Sequence, residues 1–73
     1  MKYIPRLISM LAHKNPNKRY EACEYLRVYP HQLPQEALDA LLFATNDPNT
    51  DVADAARRAL AMHTPEEQSN AGG

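Results

Sequence analysis

A chain of 73 residues can form one small domain, and its hydrophobic share of 44% is too high for an intrinsically disordered protein. The single cysteine, Cys23, excludes an internal disulfide, and no apolar run approaches the length of a membrane span, so we expect no membrane association. The formal net charge is −1. Pro5 and Arg6 interrupt the apolar residues at the start of the chain too early for a signal peptide, so we expect a cytoplasmic protein.

The first half of the chain predicts two helices joined by a tight turn. The first helix is expected over 5–13, where apolar residues recur at helical spacing: Ile4, Leu7, Ile8 and Leu11. Asn15 suits the N-cap of a second helix and Pro16 its first position, and Pro30 ends that helix because it lacks an N–H. The inward side of the second helix is expected to carry Ala22, Tyr25, Leu26 and Tyr29.

The second half of the chain predicts another helical pair. Pro34 opens the third helix, whose inner stripe is expected to be Leu38, Leu41, Leu42 and Thr45. Asn49 caps the fourth helix, which is expected to bury Val52, Ala56, Ala59 and Leu60. The polar residues 65–73 are expected to form a disordered tail. Across both pairs, five leucines are expected to be largely buried: Leu7, Leu26, Leu41, Leu42 and Leu60.

The two halves of the chain match each other at a spacing of 34 residues. The matched pairs include Leu7 with Leu41, Asn15 with Asn49, Ala22 with Ala56, and Leu26 with Leu60. A period of this size is typical of stacked helical repeats, in which one unit cannot bury its own apolar face. We therefore expect an all-α fold of two stacked helical hairpins, with one repeat over about 3–30 and the other over about 34–63.

The second repeat also carries a motif. An Asp-Pro turn at Asp47 and Pro48 precedes a helix with the residues Val52, Ala53, Ala56, Ala59 and Leu60. This arrangement resembles the HEAT repeat, in which such a turn joins an outer helix to an inner helix of the pattern Val-Arg-x-x-Ala-x-x-Ala-Leu. More narrowly, it resembles the short HEAT-like repeats of bacterial proteins grouped with phycobilisome lyases. The resemblance implies a single HEAT-like domain over 1–64.

Three residues depart from the family pattern. Lys18 stands where the first inner helix should have Val, Tyr25 stands where it should have a small residue, and Ala53 stands where the second should have Arg. Lys18 indicates that part of the first inner helix is less covered than in a repeat within a long array. The resemblance implies an α-solenoid whose relatives bind proteins and sometimes nucleic acid, and a minority of which handle bilin pigments.

The sequence favours neither an enzyme nor a metalloprotein. Its soft ligands, His13, His31, His63 and Cys23, lack the spacing of a metal site. No glycine-rich loop is present to hold a phosphate, and the paired acidic residues fit solvated helix and tail positions. We therefore expect no enzymatic activity and no cofactor.

One face of the two inner helices is the first candidate for binding. The residues on it are Tyr20, Glu24, Arg27, Asp54 and Arg58. In a HEAT-like stack these helices lie side by side on the concave surface, and Tyr beside Arg is a common composition at interfaces. We expect a protein–protein interaction or scaffold module, or an accessory subunit of a larger complex. The alternative that this is an ordinary solvated helix face remains open.

The second candidate is a basic turn made of Lys14, Lys18 and Arg19. These cations lie at a helix N-terminus, which favours an anionic partner such as the phosphates of a nucleic acid. Their role in solubility is an open alternative. Residues 1–31 hold six basic and two acidic residues, whereas residues 32–73 hold two basic and seven acidic ones. Such a charge dipole can also favour self-association.

Overall fold

The computed structural model describes residues 3–63, and these residues form four α-helices. The helices are α1 (Tyr3–Met10), α2 (Pro16–Arg27), α3 (Gln35–Ala44) and α4 (Thr50–His63). No strand occurs within that range. The predicted all-α fold of two helical hairpins is therefore confirmed, while the predicted disordered tail lies outside the described residues.

The first helix begins and ends earlier than predicted. Pro5 is its third residue, a position where the missing N–H costs nothing because the first four N–H groups of a helix have no partner within it. After Met10 the chain tightens, and the Ala12 and His13 N–H groups donate to carbonyls three residues back, each at 3.0 Å. This narrower winding turns the chain towards Asn15.

Asparagine caps both inner helices, as predicted. The Asn15 side chain accepts the Asn17 N–H at 2.9 Å, and the Asn49 side chain accepts the Asp51 and Val52 N–H groups at 2.9 and 3.2 Å. Because these caps satisfy N–H groups that have no partner within the helix, they fix where α2 and α4 begin.

The core lies mainly between α2 and α4, which pack against each other more extensively than any other pair of helices. Small residues on α4 make this close approach feasible, and four of them are fully buried: Ala55, Ala56, Ala59 and Val52. Across from them, Ala22, Cys23 and Leu26 of α2 are also fully buried. Side chains of this size let the two helices pack closely without voids.

Three of the five leucines predicted for the core are buried, namely Leu7, Leu26 and Leu41. Leu60 is only partly buried. The prediction is wrong for Leu42, whose side chain is 61% exposed. The buried stripe of α3 runs instead through Ala37, Leu41 and Ala44, which turns Leu42 about 100° away from the core.

Tyr25 is a second correction, because it was expected to face inward and is half exposed. The residue at the equivalent position of the second repeat, Ala59, is fully buried. Tyr25 instead packs edge-on against Tyr3 at the surface, with 6.5 Å between ring centroids.

Adjacent leucines on α3 provide a direct test of this register. We expect Leu41→Ala to lower the free energy of unfolding by about 2–5 kcal/mol, because it removes a fully buried side chain and leaves a cavity. The control is Leu42→Ala, for which we expect a loss below about 0.5 kcal/mol. Urea unfolding followed by circular dichroism measures both changes, and equal losses would contradict the register.

Candidate functional site

A bidentate ion pair joins the two repeats. Arg19 on α2 donates from Nε to Asp47 Oδ2 at 2.7 Å and from Nη2 to Asp47 Oδ1 at 3.0 Å. Only 16% of the Arg19 side chain and 8% of the Asp47 side chain are exposed. We call this pair the inter-repeat clamp. Its forked geometry fixes the relative orientation of the two groups, as one contact between point charges would not.

The clamp also draws the two turns together. Arg19 Nη1 donates to the carbonyls of His13 and Lys14 at 2.8 and 3.1 Å. On the other side, Asp47 Oδ1 accepts the Asn49 N–H at 2.9 Å, next to the cap of α4. Burial by itself would raise the pKa of the Asp47 carboxyl. The hydrogen bonds from Arg19 and Asn49, together with the Arg19 charge, outweigh it and hold that pKa below its usual value.

A second contact joins the repeats at the opposite ends of the same helices. The His63 Nε2 atom lies 2.7 Å from the Leu26 carbonyl oxygen, near the last turns of α4 and α2. Because a carbonyl only accepts, Nε2 carries the proton in this contact. It satisfies one of the carbonyls that a helix end leaves without a partner. The α2–α4 pair is thus fixed at both ends.

Cys23 lies between these two contacts and is fully buried. Its Sγ atom is 3.9 Å from the Val52 carbonyl oxygen on α4. Burial, and then the negative charges of Asp47 and Glu24, raise the pKa of the thiol to about 11. Cys23 therefore remains a neutral thiol at physiological pH, and its role is packing between the repeats.

A groove of about 450 Å³ lies between α2 and α4 on the inner-helix face, towards the N-terminal ends of both helices. Its lining residues are Pro16, Asn17, Tyr20, Asn49, Asp51, Asp54 and Arg58. Three of the five residues expected on the inner-helix face thus meet there, Tyr20 from α2 and Asp54 and Arg58 from α4. Tyr20 is 38% exposed, and its ring is accessible from solvent.

The other two residues of that face, Glu24 and Arg27, pair with each other. Arg27 donates from Nη2 and Nε to Glu24 Oε1 at 2.8 and 3.2 Å, and this hydrogen bond raises the pKa of Arg27. Glu24 and Arg58, which are 34 residues apart at equivalent positions of α2 and α4, form no ion pair within the described range 3–63. On α4, Asp54 pairs with Arg57 at 2.7 Å. Within the described range 3–63, Arg58 has no carboxylate within 4.0 Å.

The basic turn does not gather its three cations into one accessible site. Arg19 uses all three guanidinium nitrogens in contacts within the chain. Lys18 lies 3.8 Å from Glu21 one turn along α2, in an exposed pair. Asn15 already caps the helix N-terminus that would help to hold an anion, and Lys14 is exposed. The charge available to an anion is thus smaller than the sequence suggests.

Sequence reasoning missed the clamp and half of the groove lining. The Arg19–Asp47 pair could have been found, because Arg19 occupies the arginine position of the HEAT pattern and Asp47 the acidic position of the Asp-Pro turn. The groove residues Asn17 and Asp51 are 34 positions apart, and each lies two residues after a capping asparagine, Asn15 or Asn49. Their equivalence predicts that they lie near each other once the inner helices are placed in parallel.

Neither a cluster of metal ligands nor a membrane-spanning helix occurs among the described residues 3–63. Residues 3–63 contain no group of three or more His, Cys, Asp or Glu side chains arranged to hold a metal ion. None of the four helices is long and apolar enough to cross a bilayer.

The clamp should contribute measurably to stability. Arg19→Ala or Asp47→Ala leaves a largely buried charge without its partner, so we expect each to cost about 2–3 kcal/mol, less than for a fully buried pair. The double variant should cost less than the sum of the two by about 1 kcal/mol or more. Strictly additive losses would show that the two side chains do not interact.

The same pair predicts a pH dependence. Because the pKa of Asp47 is lower in the folded than in the unfolded state, its contribution is complete above pH about 4 and is lost as the pH falls through the folded-state value. As the pH is lowered from about 5 to about 2, the free energy of unfolding of Asp47→Ala should therefore fall by less than that of the wild type. An identical acid dependence in both proteins would contradict this assignment.

Cys23 should resist thiol reagents in the folded protein. With a pKa of about 11 instead of 9.0, the thiol holds roughly 100-fold less thiolate at pH 8, and burial slows access further. Ellman's reagent should therefore react slowly with the native chain and at once after urea is added. Equal rates in both conditions would place Cys23 at the surface.

Comparison with known proteins agrees with this architecture. A family model described as HEAT repeats matches residues 2–71, nearly the whole chain. The match does not extend to the phycobilisome-lyase subtype suggested by the sequence. Searches of curated proteins and of solved structures gave no significant match. HEAT repeats generally serve as scaffolds for protein interactions. The family match, together with the four helices of residues 3–63 and the contacts between the repeats, shows that the chain belongs to the HEAT-repeat family.

Proposed function

We propose that this chain is a non-enzymatic protein-interaction module that binds a partner protein on its inner-helix face. That face consists of Tyr20, Glu24, Arg27, Asp54 and Arg58. The observation that carries the proposal is the groove in which Tyr20, Asp54 and Arg58 meet. A module of this size acts as a small scaffold or as an accessory subunit of a larger complex.

The groove suits a segment of a polypeptide. Its volume of about 450 Å³ can hold a few side chains, and its lining combines one aromatic ring with amide and charged groups. Tyr20 offers a large contact area at a low cost in conformational entropy, since its ring has two rotatable bonds. Asn17 offers adaptable hydrogen bonds to backbone groups of a partner.

Arg58 sets the expected chemistry of the contact. Its guanidinium has no carboxylate within 4.0 Å in the described range 3–63, whereas the neighbouring Arg57 is paired with Asp54. A carboxylate from a partner would therefore gain a forked ion pair without displacing an internal one. We infer that the bound segment carries an acidic side chain at this position and an apolar or aromatic group against Tyr20.

The alternative function, binding of a nucleic acid or another anion through Lys14, Lys18 and Arg19, has weaker support. Arg19 would have to leave Asp47 and two backbone carbonyls in order to reach a phosphate. Lys14 and Lys18 remain, and two exposed lysines release few counterions on binding a phosphate backbone. Proteins are therefore the favoured class of partner.

A paired set of variants tests the proposal. Proteins captured by the immobilised chain are identified by mass spectrometry, and the purified partner is then titrated by calorimetry. We expect Tyr20→Ala with Arg58→Ala to weaken binding by about 1–2 kcal/mol or more, which is roughly 5- to 30-fold in Kd. Helical circular dichroism should be unchanged, because neither side chain is part of the core.

The matched control removes the same residue types from the outer helices. Arg6→Ala with Phe43→Ala deletes one exposed arginine and one exposed aromatic side chain, on α1 and α3. Binding should be unaffected by this control. Equal losses in both double variants, or a loss only in the control, would refute the inner-helix face. Tight binding to an oligonucleotide with a steep salt dependence would favour the basic turn instead.

A further inference from the structure

Two opposite charges that line the groove have no ionic partner within the described range 3–63. Asp51, in the first turn of α4, has no basic nitrogen within 4.0 Å, and Arg58 has no carboxylate within that distance. The other charged residues of the inner-helix face are already held in two ion pairs, Glu24–Arg27 and Asp54–Arg57. A bound molecule can therefore use Asp51 and Arg58 without breaking an internal ion pair.

The two free charges lie in line along the groove. Arg58 follows Asp51 by seven residues, which is close to two helical turns, so both lie on the same side of α4. At a rise of about 1.5 Å per residue, their backbones are about 10 Å apart along the helix axis. Tyr20 is the 34-residue equivalent of Asp54, so its ring lines the groove at a level between them. The groove thus presents an acidic group, an aromatic ring and a basic group in a row.

The volume of the groove limits the form of the bound segment. A helix with its side chains is about 10–12 Å wide, so two turns of it need about 800 Å³ or more. The groove offers only about 450 Å³. A residue in packed extended structure occupies roughly 160 Å³, given the spacing of strands and sheets. About three residues of an extended chain therefore fill the groove, and they span about the same 10 Å.

The backbone beside the groove favours polyproline II over a β-strand. A strand needs an edge of unpaired N–H and C=O groups, whereas the first N–H groups of α2 and α4 are taken by the Asn15 and Asn49 caps. A polyproline II segment needs no such edge, because its backbone makes no ladder. It also turns once in three residues, so side chains three positions apart point the same way, about 9 Å apart. In a strand, such side chains point to opposite sides.

Building on the proposed function, on which this inference rests, we propose that the groove binds a polyproline II segment with a basic and an acidic residue three positions apart. The basic residue pairs with Asp51 and the acidic residue with Arg58. Prolines between them pack on the Tyr20 ring, because a preformed polyproline II helix suits an aromatic surface. Proline carbonyls also lack a partner of their own, and the Asn17 amide and the Tyr20 hydroxyl can donate to them.

Titration of the isotope-labelled full chain with short peptides, followed by NMR, tests this inference. The probe is acetyl-Pro-Lys-Pro-Pro-Glu-Pro-amide. One control peptide of the same length has Gln in place of both charged residues, and a second has Lys and Glu next to each other. We expect the probe to shift the amide signals near Tyr20 and Asp51. Its Kd should be at least about 5-fold lower than that of either control, since only the probe reaches both charges.

A change of charge in the chain tests the pairing. In Asp51→Lys both ends of the groove are basic, so a peptide with Glu at both charged positions should bind better than the probe. We expect the ratio of the two Kd values to change by about 10-fold relative to the wild type. Glu36→Lys is the matched control, because Glu36 is also an exposed acid in the first turn of a helix, on α3. It should keep the preference of the wild type. Circular dichroism checks that both variants are folded.

The outcomes separate this inference from the proposed function. A wild type that does not prefer the probe to both control peptides overturns the inference, and so does a preference that Asp51→Lys leaves unchanged. Signal shifts confined to α1 and α3 place the peptide elsewhere and also overturn it. The proposed function fails on different evidence, namely a captured partner protein that is insensitive to Tyr20→Ala with Arg58→Ala. A partner that is lost in that double variant, together with no preference among the peptides, overturns the inference alone.

Discussion

The ion pair between Arg19 and Asp47 is the contact on which the rest of this structure depends. Each repeat is a single helical hairpin and cannot bury its own apolar face. The clamp joins them through a bidentate contact and ties the end of the first turn to the start of α4. His63 and the Leu26 carbonyl fix the other ends of the same two helices. Between these two contacts, the small side chains of α2 and α4 pack against each other, and the groove lies along the same pair of helices.

The clamp also decides which charges remain for other molecules. Arg19 belongs to the interior of the stack, which removes the strongest cation from the basic turn. Arg58, two turns into α4, is the arginine left beside the groove.

Much of the fold could be predicted because it depends on local signals: two asparagine caps, prolines at helix starts, and apolar stripes repeated every 34 residues. What the sequence could not provide is the rotation of each helix about its axis. Leu41 and Leu42 both fit an apolar stripe, and only packing against α4 selects Leu41 for the core. The residues that line the groove were predicted only in part, because the lining also depends on how each helix is rotated. Tyr20, Asp54 and Arg58 follow from helical periodicity, whereas the internal pairing of Glu24 with Arg27 depends on side-chain rotamers.

Residue-resolved amide hydrogen exchange is the most direct test of the central claim that the clamp makes two repeats into one folding unit. If the clamp joins the hairpins in this way, core amides of both hairpins, such as those of Leu26, Leu41 and Ala56, should exchange with the same opening free energy, equal to the global free energy of unfolding. In Asp47→Asn, which weakens the clamp, the two hairpins should separate into distinct levels of protection. Hairpins that already open independently in the wild type, with clearly different free energies, would show that the clamp does not couple them.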